Sequence, residues 1–508
     1  MRNWQNLIKD LGTKGFRKAV GQITDYDVYQ HSLREEGGSW FFMARGNDGE
    51  KKLFIVNESD IYDKFTGQTQ EIAGQSAKVV DLNHENAEVL RDVFPFTAPV
   101  AVGKEGVSLG LGDRLGLASP GHIEVVRGKE ITPVLAQQSI RELELTGRTY
   151  EDVLDAASWS VFQQGYEQGF GADGDHLKSR EEVEMALDIG FTMITLDGSE
   201  HIDNSIIDLS EEEVKSQYRK LVADKPEIKD LEQKYAGQKF TLATGTEIKF
   251  SEEEFWRIAL IYSDMLDFAE KIYFETIEDT KRKLDFELSI DETATPTSPQ
   301  AHYFVAAELL EAGLDINSLA PRFCGEFQKA IDYIGDLDQF ETEFKLHAEI
   351  ADEFGYKLSI HSGSDKFSAY PIIGKHTAGR VHVKTAGTNW LEAIWIIAEN
   401  DPDLYRELHN YARENFAEAT QYYHVTTDLD NIPALANLTD DQLPELQENE
   451  DARQLIHITY GVLLQATDEN GNYLFRDRLY EFWKEHEEEY AEALKHHIGR
   501  HIEELGFA

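Results

Sequence analysis

At 508 residues, with 41% hydrophobic and 28% charged residues, the chain has the composition of a folded protein long enough for more than one domain. Its 95 acidic against 49 basic residues give a net charge of −46, which argues against nucleic acid as a partner, since no basic excess can displace phosphate counterions. No run of about 18 apolar residues is present to span a membrane, and a single cysteine, Cys324, rules out an intrachain disulfide and fits a reducing cytoplasm.

The first sixteen residues have an amphipathic helical pattern without the apolar core or cleavage site of a secretory signal. Short strand-like runs follow at Trp40–Ala44, Lys52–Val56 and Lys78–Leu82, separated by turn signals such as Asn47-Asp48-Gly49. Residues 1–104 therefore read as a small β-rich or mixed N-terminal domain. From residue 105 the rhythm becomes strand, polar ending, helix. The predicted strands are Val107–Leu111, Thr132–Ala136, Phe170–Asp175, Phe191–Asp197, Asp285–Asp291, Ser318–Arg322, Lys357–His361 and Arg380–Lys384. Helical patterns such as Arg180–Ile189, Ala301–Ala312 and Glu341–Phe354 lie between them. This alternation predicts a (β/α)8 TIM barrel over residues 105–395, with an open doubly wound sheet as the alternative. A helical, acidic insertion over residues 203–270 is expected to act as a lid or cover. Residues 396–508 read as a helical extension packed on the barrel.

In a barrel the strand endings converge on one mouth. They would bring together Asp113 and Arg114, Asp173, Asp175, His176 and Lys178, and Asp197, Glu200 and His201. Glu287, Asp291, Glu292 and Arg322 would join them, with His361, Asp365 and Lys366, then His382 and Lys384. Carboxylates and imidazoles gathered in this way suit a divalent metal or proton transfer. Simpler roles compete: an aspartate after a strand commonly caps the next helix. His382 at mid-strand reads as a barrel-interior residue, His347 as structural, and His302 is open to either role. The Gly110–Gly116 loop misses the final spacing of a dinucleotide fingerprint. Walker, HExxH and CxxC motifs are also missing.

Longer segments carry a resemblance. GLGDRLGLASPGHI, PVLAQQSIRELELTGRTYEDVLDAASW, FQQGYEQGFGADGDHLK, FTMITLDGSEHI, DETATPTSPQAH, LAPRFCGEFQKAIDYIGD and LSIHSGSDKFSAYP together resemble the bacterial tagaturonate epimerase family over about residues 95–400. The resemblance implies a metal-dependent enzyme that interconverts D-tagaturonate and D-fructuronate. Related members act on tagatose and fructose, so a neutral ketose is an alternative substrate. A metal-dependent aldolase and a non-catalytic carbohydrate-binding protein are competing readings. Position and chemistry then assign roles. His201, His302 and His361 are expected to hold the divalent ion (zinc, manganese, nickel or cobalt). Asp175 and Glu200 are expected as acid and base, with Asp291 as an alternative ligand or base. Arg114, Lys178, Arg322, Lys366 and Lys384 are the cations available to a substrate carboxylate.

Overall fold

Alternating apolar and polar residues in the N-terminal runs build a six-stranded antiparallel sheet. In the computed structural model, which describes residues 26–56, 58–72, 75–385 and 387–507, it comprises β1 (Tyr26–Val28), β2 (Arg34–Glu36), β3 (Ser39–Gly46), β4 (Lys51–Val56), β5 (Gly67–Ile72) and β6 (Gln75–Asp81). Their order is β1-β3-β4-β6-β5, with β2 also on β3. One face buries Phe41, Met43, Leu53 and Ile55 against helix His84–Val93 and against Trp159 and Phe162 of helix Tyr150–Gln164, so the sheet sits on the barrel's outer layer. The helix expected over residues 1–16 lies outside the described residues.

The repeating strand and helix signals then close a barrel. Its strands are β7 (Val107–Gly110), β8 (Ile131–Ser139), β9 (Gly171–Leu177) and β10 (Met193–Asp197). After a hairpin of β11 (Lys239–Thr241) and β12 (Glu247–Lys249), it continues with β13 (Asp285–Ile290), β14 (Ile316–Pro321), β15 (Lys357–Ile360) and β16 (Val381–Lys384). Every neighbouring pair is parallel, and β16 pairs with β7, Val381 opposite Val107, which excludes the open sheet. Each predicted barrel strand falls on one of these eight. One unit shows how the chain encodes the repeat. Ser179 and Glu182 form a capping box that starts helix Arg180–Ile189, and Val183, Ala186 and Leu187 bury one face. Gly190, at φ 112°, ends the helix and lets Phe191 enter the barrel core.

The insertion expected to act as a lid has another place. Its helices Glu211–Asp224 and Ile228–Tyr235 pack with helix Glu252–Ile272, which lies on helix Pro299–Ala312 in the outer layer. The hairpin β11–β12 within it is too short for a periodicity signal. Helices after residue 387 build a second core around Trp390, Tyr405, Leu455 and Trp483. The last helix, Glu487–Glu504, lies across helix Ser119–Val126. Beyond its end the chain touches the barrel so closely that a Cβ at Gly374 would come within 2.0 Å of the Leu505 carbonyl. Among the described residues, no helix is long and apolar enough to cross a membrane.

A buried ionic staple fixes that last helix to the loop after β15. Asp365, at φ 59°, faces His497 Nε2 at 2.9 Å and Arg453 Nη2 at 3.0 Å, while His497 Nδ1 lies 3.3 Å from Glu392. The Asp365 N–H donates to His501 Nε2 at 3.1 Å. Burial opposes both charges, yet His497 and Arg453 hold Asp365 well below the usual carboxylate range, and Glu392 and Asp365 hold His497 above its usual value. A histidine raised in the folded state contributes stability fully below its unfolded pKa of about 6.5, and loses it as pH rises through the folded value. His497→Phe is therefore expected to cost roughly 1–3 kcal/mol near pH 6. The gap to the parent protein should narrow at higher pH, as read by denaturant unfolding.

Candidate metal centre at the barrel mouth

Side chains alternate inward and outward along barrel strands, and here the inward set near the mouth is polar. Lys384 on β16 lies 2.6 Å from Asp175 and 3.0 Å from Asp173 on β9, and 2.9 Å from Glu287 on β13. It also donates to Thr195 Oγ1 on β10 at 2.7 Å, and Ser318 Oγ on β14 donates to Glu287 at 2.5 Å. Burial disfavours the ammonium, but the three carboxylates outweigh it and hold Lys384 well above its ordinary pKa. Against the same burial, Lys384 and adjacent imidazoles hold Asp175 and Glu287 below the carboxylate range. Asp173 goes the other way: burial, reinforced by Asp175 and Glu287, raises it despite Lys384.

A bulge in β9 sets the next layer. Ile194 and Leu196 of β10 pair with Gly174 and Leu177, so two residues of β9, Asp175 and His176, stand against one of β10. His176 takes a left-handed φ of 56°. Strict alternation would turn one of the two away; the bulge brings both to the mouth. His176 Nδ1 lies 2.8 Å from Asp175 Oδ1, and its Nε2 lies 3.9 Å from Asp291 Oδ1. His361, the residue after β15, places Nε2 2.7 Å from Glu287 and Nδ1 3.3 Å from Asp291 Oδ1. One donor atom each from His176, Asp291 and His361 lies within 4.8 Å of the others.

The donor set favours a cation at that point. Each imidazole directs one nitrogen outward to a carboxylate, so the other nitrogen turns inward toward Asp291. His361 Nδ1 is buried without a hydrogen-bond partner. Against burial, Asp175 and Asp291 raise the pKa of His176, Asp291 raises that of His361, and the two imidazoles hold Asp291 well below the carboxylate range. The cluster thus stabilises positive charge at its centre, as protons or as a metal. Two nitrogens and one carboxylate oxygen, backed by Asp175 and Glu287, suit a divalent transition metal whose ligands are oriented by outer carboxylates.

Of the residues expected from sequence to hold the metal, His361 stands in this cluster and two do not. His201 is exposed and stacks on Phe268 at 4.1 Å. His302 is buried in helix Pro299–Ala312, its nitrogens facing His347 at 2.9 Å and Tyr356 Oη at 2.6 Å. Asp175 and Asp291 reach the mouth, whereas Glu200 is exposed and 3.8 Å from Lys178. Each of the five expected cations has a partner within the protein. Arg114 is buried in an ion pair with Glu142 at 2.6 Å and lies 4.0 Å over the Tyr460 ring. Lys366 donates to the carbonyls of Gln328, Ile331 and Ser364, and burial lowers its pKa to about 7. Lys178 lies 3.3 Å from Asp197, Arg322 donates to the Thr293 carbonyl, and Lys384 is enclosed by carboxylates.

Comparison with known proteins places this architecture. The tagaturonate epimerase family matches residues 29–505. A tagaturonate/fructuronate epimerase from Thermotoga maritima is 41% identical over 481 residues, covering 94% of this chain and 97% of its own. The chain belongs to the tagaturonate epimerase family. It is accordingly an epimerase, an enzyme of the isomerase class. Solved structures of a fructuronate-tagaturonate epimerase from Cohnella laeviribosi, native and with one glycerol bound, are each 50% identical to it, cover 99% of both chains and give a TM-score of 0.92. The family match takes in the N-terminal sheet from β2 onward, where the sequence segments resembling the family are sparse.

In this tagaturonate epimerase family member Asp291 and His361 line two cavities, the first of which also takes in His176. One, of about 240 Å³, is also lined by Arg141, Glu142, Glu292, Lys329, Lys384, Tyr423 and His457. The other, of about 220 Å³, runs past Arg322, Phe323 and Glu326. The C-terminal region contributes Tyr422, Tyr423, His424 and His457 to the first cavity and His424 to the second, and no residue of the 203–270 insertion lines either cavity among the described residues. Sequence reasoning placed His176 and Glu287 near the mouth without giving them a role, and gave no signal for Lys329, Arg141 or His457.

Proposed function

We propose that this chain interconverts D-tagaturonate and D-fructuronate by inverting C4, with a divalent metal ion held by His176, Asp291 and His361. The convergence of those three side chains, each imidazole backed by a carboxylate, supports the reading most directly. An ion held there supplies Lewis acidity toward a ketose carbonyl. The C4 carbinol is β to the C2 ketone, so its C–H is not acidified by enolisation. Inversion instead proceeds by cleavage and re-addition. The C4 hydroxyl gives its proton to a base, the C3–C4 bond breaks, and its electron pair forms the C2–C3 enediolate while C4 becomes an aldehyde. The aldehyde fragment turns, the pair returns to its other face, and the new alkoxide recovers the proton.

Among the carboxylates lining the larger cavity, Glu142 pairs with Arg114, Asp175 is held by Lys384 and His176, and Asp291 faces the two imidazoles. Glu292, half-exposed and 3.8 Å from Lys178, is the group left to carry the proton. Asp175 and Glu287 orient the imidazoles. A reducing cytoplasm suits the enzyme, whose single cysteine is buried and free.

Chelation is expected to abolish interconversion and a divalent ion to restore it, without net accumulation of three-carbon fragments. Carbon isotope effects at C3 and C4, with no primary deuterium effect at C4, are expected for bond cleavage. A primary deuterium effect at C4 would instead support transient oxidation. Activity indifferent to chelation would remove the metal from the scheme.

A further inference from the structure

The larger cavity is also lined by two cations, Arg141 and Lys329. Arg141, at the start of helix Ile140–Thr146, lies 4.9 Å over the Tyr423 ring and reaches the Tyr422 carbonyl only at 3.5 Å. Lys329, on the loop after β14, donates to Ser362 Oγ at 3.0 Å. Among the described residues neither has a carboxylate within ion-pair distance, whereas Lys384 in the same cavity has three. Glu142, an acid lining the same cavity, is engaged by Arg114 through two hydrogen bonds. Unpaired cations in a protein of net charge −46 call for a specific reason.

His457 supplies a second, independent sign. It lines this cavity, is fully buried, and neither ring nitrogen has a hydrogen-bond partner. Burial, reinforced by Arg114 and Lys329, keeps the ring neutral, so one nitrogen carries an N–H. Burial likewise weakens the hold of Lys329 on its proton, and Arg114 and Arg141 weaken it further against the pull of Glu142. An unpartnered imidazole and two unpaired cations around one space leave an anion-sized demand for hydrogen-bond acceptors.

Resting on the function proposed above, we propose that Lys329, Arg141 and His457 form the subsite that binds the substrate's carboxylate. A carboxylate offers two oxygens, matched by the guanidinium fork, the ammonium and one imidazole N–H. The ketose end then faces the triad, which lines the same cavity. A neutral ketose would leave the cations unpaired and the imidazole unsatisfied, so the subsite selects a ketouronate over the corresponding sugar.

The test compares D-tagaturonate with D-tagatose on the metal-loaded full-length enzyme, by initial rates and titration calorimetry. Lys329→Met and Arg141→Gln are each expected to raise the KM and Kd for tagaturonate roughly thirtyfold, with a smaller change in kcat. The preference for tagaturonate over tagatose, as a ratio of kcat/KM values, should fall by about the same factor. Lys329→Arg should recover most of the affinity. Arg141 is exposed, so its substitution tests the subsite even if Lys329→Met fails to fold. Unchanged tagaturonate affinity in both variants, or equal losses for the two sugars, would overturn the subsite alone. A parent enzyme that neither binds nor converts tagaturonate would overturn the proposed function and the subsite with it.

Discussion

His361→Ala is expected to lower kcat/KM by roughly a thousandfold or more and to leave the purified protein without a bound divalent ion. The argument rests on what this side chain joins. Its Nε2 meets Glu287, an acid on a barrel strand that Lys384 also holds, while its Nδ1 is buried without a hydrogen-bond partner and faces Asp291. Alanine at this position removes one of three donors and leaves Glu287 without its imidazole. Glu287→Gln keeps all three donors but weakens the orienting hydrogen bond, so metal affinity should fall about 10–100-fold. His201→Ala is the control. An exposed ring stacked on Phe268 should affect metal content little and activity only a few-fold. Elemental analysis alongside rates decides the matter. Metal retained in His361→Ala but lost from His201→Ala would overturn the triad and move the site to His201.

That contrast shows what the sequence could and could not convey. The barrel was legible because most of its strands run into polar residues and several of its helices carry recognisable caps, as at Ser179 and Gly190. His361 was legible for the same reason: the alternation of Leu358, Ser359 and Ile360 puts it on the inner face just past β15. The ligating geometry of His176 was not. It depends on a bulge and a left-handed backbone at a non-glycine residue, which no periodicity announces. His302 was ambiguous because a histidine on an apolar helix face can serve as ligand or core, and only the contacts with His347 and Tyr356 show its place. The cations misled for a different reason. Arg114 and Lys366 follow strands as expected, but their partners, Glu142 and the carbonyls of a distant loop, are set by tertiary packing. Lys329 lies in a loop without a repeating pattern, and its cavity exists only once the C-terminal helices are in place.

Lys384→Met is expected to cost about 3–5 kcal/mol of folding stability at pH 7, because it leaves Asp173, Asp175 and Glu287 buried around an apolar side chain. The pH dependence gives a sharper test than the size of the loss. In the parent protein, Lys384 and the imidazoles hold Asp175 and Glu287 below their ordinary values despite burial. Groups lowered in this way contribute stability above the unfolded carboxylate pKa of about 4, and lose it as pH falls through the folded value. Without the ammonium, burial and mutual repulsion should push these carboxylates up. The folded variant then binds more protons than the unfolded chain, and its stability should fall as pH rises from about 4 toward neutrality. The gap between parent and variant is therefore expected to widen from pH 5 to pH 7.5 in denaturant unfolding. A gap independent of pH would mean that Lys384 acts through packing alone. Activity should fall with stability, since the same ammonium steadies Asp175, which orients His176, and Glu287, which orients His361.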